Sequence, residues 1–189
     1  ATSYRTEADD FGWSFVFHAH VSKKITGEPV PGVPWWRKVD RANWRRPEGP
    51  GSNIKKRMEN PVVHVSVRDA RAYCEWVGKR LPTEAEWEAA GRGGLVQKRY
   101  AWGDELTPNA KHQCNIWQGD FPSTDSADDG YAGTSPVKSF SANGFGIYSV
   151  AGNVWEWCHD YWSPFFHRNG PDRNPTGPAS GNRHVMRGG

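Results

Sequence analysis

The sequence predicts an α+β fold in which ordered loops outweigh regular elements. Three observations predict it. Two helical patterns stand together between residues 66 and 92, the residues after 95 read as short strands separated by turns, and glycine, proline and tryptophan are abundant. The 189 residues include 21 Gly, 14 Pro and 11 Trp. That length fits a single domain, residues 1–189, large enough to bury a core. Aromatic rings recur along the whole chain. They supply the apolar surface that orders loops, and they argue against disorder.

The elements follow in order. Residues 1–60 are irregular by pattern, apart from Phe11 to Phe17. There Phe11, Trp13, Phe15 and Phe17 recur every second residue, which predicts a strand with one buried face. The proline- and tryptophan-rich stretch Pro29 to Pro50 reads as an extended loop pinned by rings. PVVHVS, residues 61–66, reads as a short strand. Ser66 then caps a helix with Asp69 at its third position, a reciprocal arrangement that satisfies free backbone N–H groups. Ala70, Tyr73, Cys74 and Val77 form its apolar stripe, and Gly78 ends it.

A second helix starts at LPTEAEWEAA with Thr83 as cap and Glu86 as reciprocal partner. Ala85, Trp87 and Ala89 are expected to pack inward, and Gly91, Gly93 and Gly94 to stop the helix. Glu84 and Glu86 lie in the first turn, where the helix dipole favours negative charge. We therefore read them as helix-capping residues rather than an acid/base pair. Asn143-Gly144, between Phe140 and Phe145, reads as a tight hairpin turn.

Charge and composition exclude some classes. The net charge is +3, and the 24 basic and 21 acidic residues are interspersed except for the cluster Arg37 to Arg46. A nucleic-acid binder presents a continuous basic face, so no nucleic-acid partner is expected. No apolar run approaches membrane-spanning length, so no membrane partner is expected. The start lacks a signal-peptide pattern, and Asn174-Pro175-Thr176 is ruled out as a glycosylation acceptor by its proline, which together point to the cytoplasm. Cys74, Cys114 and Cys158 are too few and wrongly spaced for a disulfide framework or a zinc site. His64 and His159 lack a third ligand at suitable spacing and read as ordinary.

Two strings are more specific. KRLPTEAEWEAAGRGG, Lys79 to Gly94, and GNVWEW, Gly152 to Trp157, resemble the hallmarks of the formylglycine-generating enzyme superfamily. PWW (Pro34 to Trp36), NWRRPEGP (Asn43 to Pro50), NPVVHVS (Asn60 to Ser66), NIWQGDFP (Asn115 to Pro122), DDGYAGTSPV (Asp128 to Val137) and NGFGIY (Asn143 to Tyr148) resemble the formylglycine-generating enzymes proper. The run Asn174 to Gly189 continues the match, so the resemblance spans essentially the whole chain.

The resemblance implies an irregular C-type-lectin-like fold, incomplete at its C-terminus. It implies an oxidoreductase that converts a cysteine in a CxPxR-type motif of an unfolded sulfatase to Cα-formylglycine, using molecular oxygen and Cu(I). In the family the catalytic cysteine pair follows shortly after the Arg-Gly-Gly that here is Arg187 to Gly189. Neither cysteine lies within these residues, so the resemblance assigns no catalytic residue and predicts this chain alone to be inactive. Copper enters only if those cysteines are supplied, because Cu(I) is soft and wants thiolates. Cys74 resembles a cysteine that in some relatives pairs with the far C-terminus.

Calcium is the second cofactor the resemblance implies. Asn115, Ile116, Asp129 and Tyr131 match one set of ligands, two of them through backbone carbonyls; hard oxygens suit Ca²⁺. Asn115 and Asp129 alone would read equally as turn-capping Asx residues. Ser149, Gly152, Val154 and Glu156 match a second set, in which Ser149 replaces an asparagine and offers a weaker ligand. Trp35, Trp36 and Trp155 match strings that line a groove for the substrate peptide, and read otherwise as core or loop-pinning rings. Two alternatives remain: a non-catalytic peptide- or ligand-binding module of the same family, and an iron-dependent C–S bond-forming relative. The latter needs a histidine-rich iron site that the sequence lacks.

Overall fold

A computed structural model describes residues 2–189. The chain divides into two compact units, Ala1–Tyr73 and Cys74–Gly189. The first is built around a three-stranded antiparallel sheet in the order β1-β3-β2, with β1 at Trp13–Phe17, β2 at Glu28–Val30 and β3 at Val33–Asp40. The register pairs Trp13 with Asp40 and Phe17 with Trp36. The expected strand is therefore present, and its period of two is right. Its buried face is the other one. Val16 is 4% exposed, whereas Phe15 is 44% and Phe11 61% exposed. Val16 packs with Val39 and Ala42, flanked by Val21 and Ile25. The rings instead cover one another: Trp13 sits 5.1 Å from Phe15, and Phe17 5.9 Å from Trp36. Lys38 lies over Trp13.

The stretch read as a loop from Pro29 to Pro50 contains β2 and β3, because β3 pairs on both sides and Pro29 lies on the edge strand β2 beside a bulge. A short helix, α1 (Glu7–Phe11), also escapes the periodicity argument. Thr6 and Asp9 close a capping box at its start, and Gly12 ends it in the left-handed conformation.

The strand expected at residues 61–66 is absent. His64 has φ 60°, which breaks an extended path. Its ring lies 2.7 Å from the Pro47 carbonyl and 2.8 Å from the Ser14 hydroxyl. The carbonyl can only accept, so Nε2 carries the proton and Nδ1 accepts from Ser14. Burial pushes the His64 pKa down. Helix α2 (Val67–Trp76) begins as expected, with Ser66 N–H donating to Asp69 and Asp69 N–H to the Ser66 hydroxyl. Its stripe differs. Tyr73 is 62% exposed, and the buried position belongs to Asp69, whose carboxylate also accepts from Tyr4 Oη and Glu7 N–H. A single carboxylate therefore serves the N-termini of both helices.

In the second unit, α3 (Glu84–Arg92) packs on an antiparallel pair, β4 (Glu156–Tyr161) with β5 (His184–Arg187). The Thr83–Glu86 box is present. Asp160 of β4, 3% exposed, accepts from Glu84 N–H and caps α3 from the sheet. Arg187 of β5 donates to Glu84 at 3.0 Å and also to Glu88. Gly91 lies inside the helix; the stop is Gly93. Trp87 is half-buried, but Ala85 and Ala89 face solvent. The Asn143-Gly144 turn joins no strands. Asn143 Nδ2 donates to Ala90 and Gly91 carbonyls and caps the end of α3, while its Oδ1 accepts from Phe145 and Ile147 N–H. The last helix, α4, spans Phe166–Asn169. No helix is long and apolar enough to cross a membrane among the described residues.

Candidate functional site

Between α3 and β4 the backbone forms no ladders, so side-chain amides and carboxylates hold the loops. Asn115, 7% exposed, donates through Nδ2 to the Gly133 carbonyl at 2.6 Å and to Asn153 Oδ1 at 3.3 Å. Its Oδ1 is thereby turned the opposite way. Asn153 N–H donates to the Asn115 carbonyl, and Asn153 also bonds both backbone groups of Ser135. Asp129 accepts three N–H donors: Ile116 N and Gln118 Nε2 at Oδ2, and Tyr131 N at Oδ1, each at 2.9 Å. The first predicted set is thus brought together. Asp129 bonds directly to Ile116 and Tyr131, and Asn115 adjoins Ile116. Gln118 belongs to the same cluster and was not singled out in the sequence. Its position two residues after Ile116, facing an Asx turn, is the only signal that could have found it.

The second predicted set is arranged differently. Ser149 donates its hydroxyl to the Val137 carbonyl at 2.8 Å. The Gly152 carbonyl accepts from Val154 N–H at 2.9 Å. Glu156 accepts from the Trp87 indole at 2.8 Å. Burial pushes the Glu156 carboxyl above its ordinary pKa, and that hydrogen bond only partly offsets it. Ser149, Gly152 and Glu156 each serve a separate internal partner.

Gly152 ties the two loops together. Its φ is 73°, its N–H donates to the Gly188 carbonyl at 2.8 Å, and a Cβ there would lie 2.2 Å from the Asn115 carbonyl oxygen. Only glycine permits that approach.

The three cysteines are free. Burial pushes the Cys114 thiol up to about 11 and the Cys158 thiol up to about 12, with Asp129 and Asp160 adding repulsion respectively. Both stay protonated near neutrality. No group of three or more His, Cys, Asp and Glu side chains capable of holding a metal occurs among the described residues. Of the predicted tryptophans, Trp155 is 60% exposed and Trp36 39%, while Trp35 is half-buried.

A loop-built α+β domain with amide-braced turns defines the class. Residues 2–189 match the sulfatase-modifying factor enzyme 1-like domain family. The chain belongs to that family. It is 56% identical over its whole length to a formylglycine-generating enzyme of Thermomonospora curvata and 54% identical to one of Streptomyces coelicolor. It spans 64% and 61% of those proteins' lengths. It is also 51% identical, over 85% of its length, to an inactive Cα-formylglycine-generating enzyme 2 of Mus musculus, of which it spans 52%. Among solved structures, Treponema denticola variable protein 1 superposes with a TM-score of 0.55 at 21% identity, covering 92% of this chain and 67% of that one. That likeness shows the fold.

Proposed function

We propose that the protein carrying this chain oxidises the cysteine of a CxPxR-type motif, in an unfolded sulfatase peptide, to Cα-formylglycine with molecular oxygen and copper. The observation that carries this reading is 56% identity along the full 189 residues to a formylglycine-generating enzyme, across the narrower motif strings as well as the two hallmarks. Copper is not assigned to Cys74, Cys114 or Cys158: two of them are buried protonated thiols, and none has a cysteine partner. The thiolate pair would come from residues that follow Arg187–Gly189 in the longer protein. What these residues supply is a scaffold that offers aromatic surface to an extended peptide in each unit, exposed Trp36 with Trp35 in the first and exposed Trp155 in the second.

Calcium is proposed for the first loop set. Asn115 and Asp129 side chains and the Ile116 and Tyr131 carbonyls form an all-oxygen donor set with one carboxylate, which suits a hard divalent cation. The second set is proposed as the weaker seat, since the Ser149 hydroxyl is a weaker ligand already donating to Val137 and Glu156 already binds the Trp87 indole.

The experiment is to incubate the full-length protein with copper, oxygen and a CxPxR peptide, and to trap aldehyde with a hydrazide probe. Aldehyde formation supports the reading; none, with saturable peptide binding, supports the second reading. That second reading, a non-catalytic peptide-binding module, is favoured by the inactive relative at 51% identity.

A further inference from the structure

The Gln118 side chain occupies a telling position. Its Nε2 donates to the Ile116 carbonyl at 2.5 Å and to Asp129 Oδ2 at 2.9 Å. Both oxygens belong to the first loop set. Its Oε1 accepts from Asp129 N–H at 3.3 Å, so the amide orientation is fixed by donors and acceptors on both sides. A hard divalent cation shared by the same two oxygens would sit about 2.3–2.6 Å from each. The amide nitrogen lies nearly there and points its partly positive hydrogens at both oxygens.

The Gln118 backbone is held independently. Its N–H donates to Asp125 Oδ1 at 3.2 Å, and its carbonyl accepts from Ser126 N–H at 2.8 Å. Neither bond involves the four proposed ligands. The side chain is half-buried, next to exposed Gly119 and Asp120. Rotating its torsions would free Ile116 and Asp129 without moving the loop. By contrast, Asn115 Nδ2 is tied to Gly133 and Asn153, and Asp129 Oδ1 to Tyr131, so the rest of the cluster keeps its shape.

We infer that the Gln118 carboxamide is a displaceable stand-in for the cation, keeping the loop at residues 115–131 folded without metal and competing with calcium for the Ile116 and Asp129 oxygens. The inference rests on the calcium assignment above and adds its regulation: calcium binding is exchange of one amide for one ion. The amide sets how much calcium the loop needs before it binds.

The test uses calcium titration by calorimetry, melting in excess chelator, and the side-chain amide signals of ¹⁵N-labelled protein. In the unmutated protein, calcium shifts the Gln118 side-chain amide resonances, because the amide leaves both acceptors. Gln118→Ala removes the competitor, so the calcium dissociation constant falls by about 3- to 10-fold, the equivalent of one net hydrogen bond, while melting in chelator drops. Gln118→Glu goes further in both directions, since a second carboxylate repels Asp129 without metal and attracts the ion with it. Should Gln118→Ala not fold in chelator, the amide resonances of the unmutated protein decide alone. Weaker calcium binding by Gln118→Ala, or Gln118 resonances unmoved by saturating calcium, overturns the stand-in role. Tight calcium binding that survives Asp129→Asn undiminished, or that is absent from every variant, overturns the calcium assignment together with it.

Discussion

The two loop sets of the second unit hold the same kinds of oxygen and differ in what already bonds them. At residues 115–131, one side chain, Gln118, reaches two of the oxygens together. At residues 149–156, the bonds run to the Val137 carbonyl, to Val154 N–H within the loop itself and to the Trp87 indole of α3. An ion at the first set displaces one side chain; an ion at the second competes with the Trp87 indole of a helix for the buried Glu156 carboxylate. Identity of ligand residues therefore does not rank two sites. The displaceability of their internal partners does.

Gly152 is where the comparison breaks most easily, because it belongs to one set and touches the other. Gly152→Ala places a methyl group against the Asn115 carbonyl at a left-handed backbone position. It should destabilise the protein by roughly 3 kcal/mol, judged from overpacking at a rigid site, as read by chemical denaturation. A loss below about 1 kcal/mol would mean that the loops move apart freely. Asp129→Asn comes next. Its three N–H donors lose a charged acceptor, which should cost about 2 kcal/mol without calcium, and calcium should then add no stability in a melting experiment.

Glu156 sharpens the comparison from the other side. Burial raises its folded pKa, so the native state binds the proton more readily than the unfolded chain. Stability is then full below the ordinary carboxylate range and declines as pH rises through the raised value. Glu156→Gln keeps an acceptor for Trp87 and removes the buried charge, so it should melt above the parent at neutral pH and equal it in acid. The smallest effect belongs to α3. Arg80, the leading cause, and the Thr83 N–H hold Glu86 down at about 2. Its contribution is present above the ordinary value and is lost as pH falls from about 4.5 to about 2. Both side chains are largely exposed and screened by solvent, so Arg80→Ala should lower the melting temperature only slightly, and its effect should vanish in that acid window.

Much of this was legible in the sequence where local chemistry decides. The caps Ser66–Asp69 and Thr83–Glu86 and the stop at Gly78 depend on neighbours a few residues apart, and all three are present. Which face of β1 is buried was not legible, because Phe15 and Val16 are both apolar and the choice is made by Val39 and Ala42 far along the chain. The strand expected at residues 61–66 failed for a related reason. His64 is recruited by Ser14 and Pro47, contacts invisible to periodicity. At the candidate site, Asn115 and Asp129 could be named from the resemblance. Gln118 could not, since its role comes from a loop closure that brings Ile116 and Asp129 to it.

The most direct measurement is a calcium titration of the protein by calorimetry beside its Asp129→Asn and Glu156→Gln variants. Tight binding should disappear with Asp129→Asn and persist with Glu156→Gln. Binding that persists in Asp129→Asn and disappears in Glu156→Gln would contradict the ranking of the two loops.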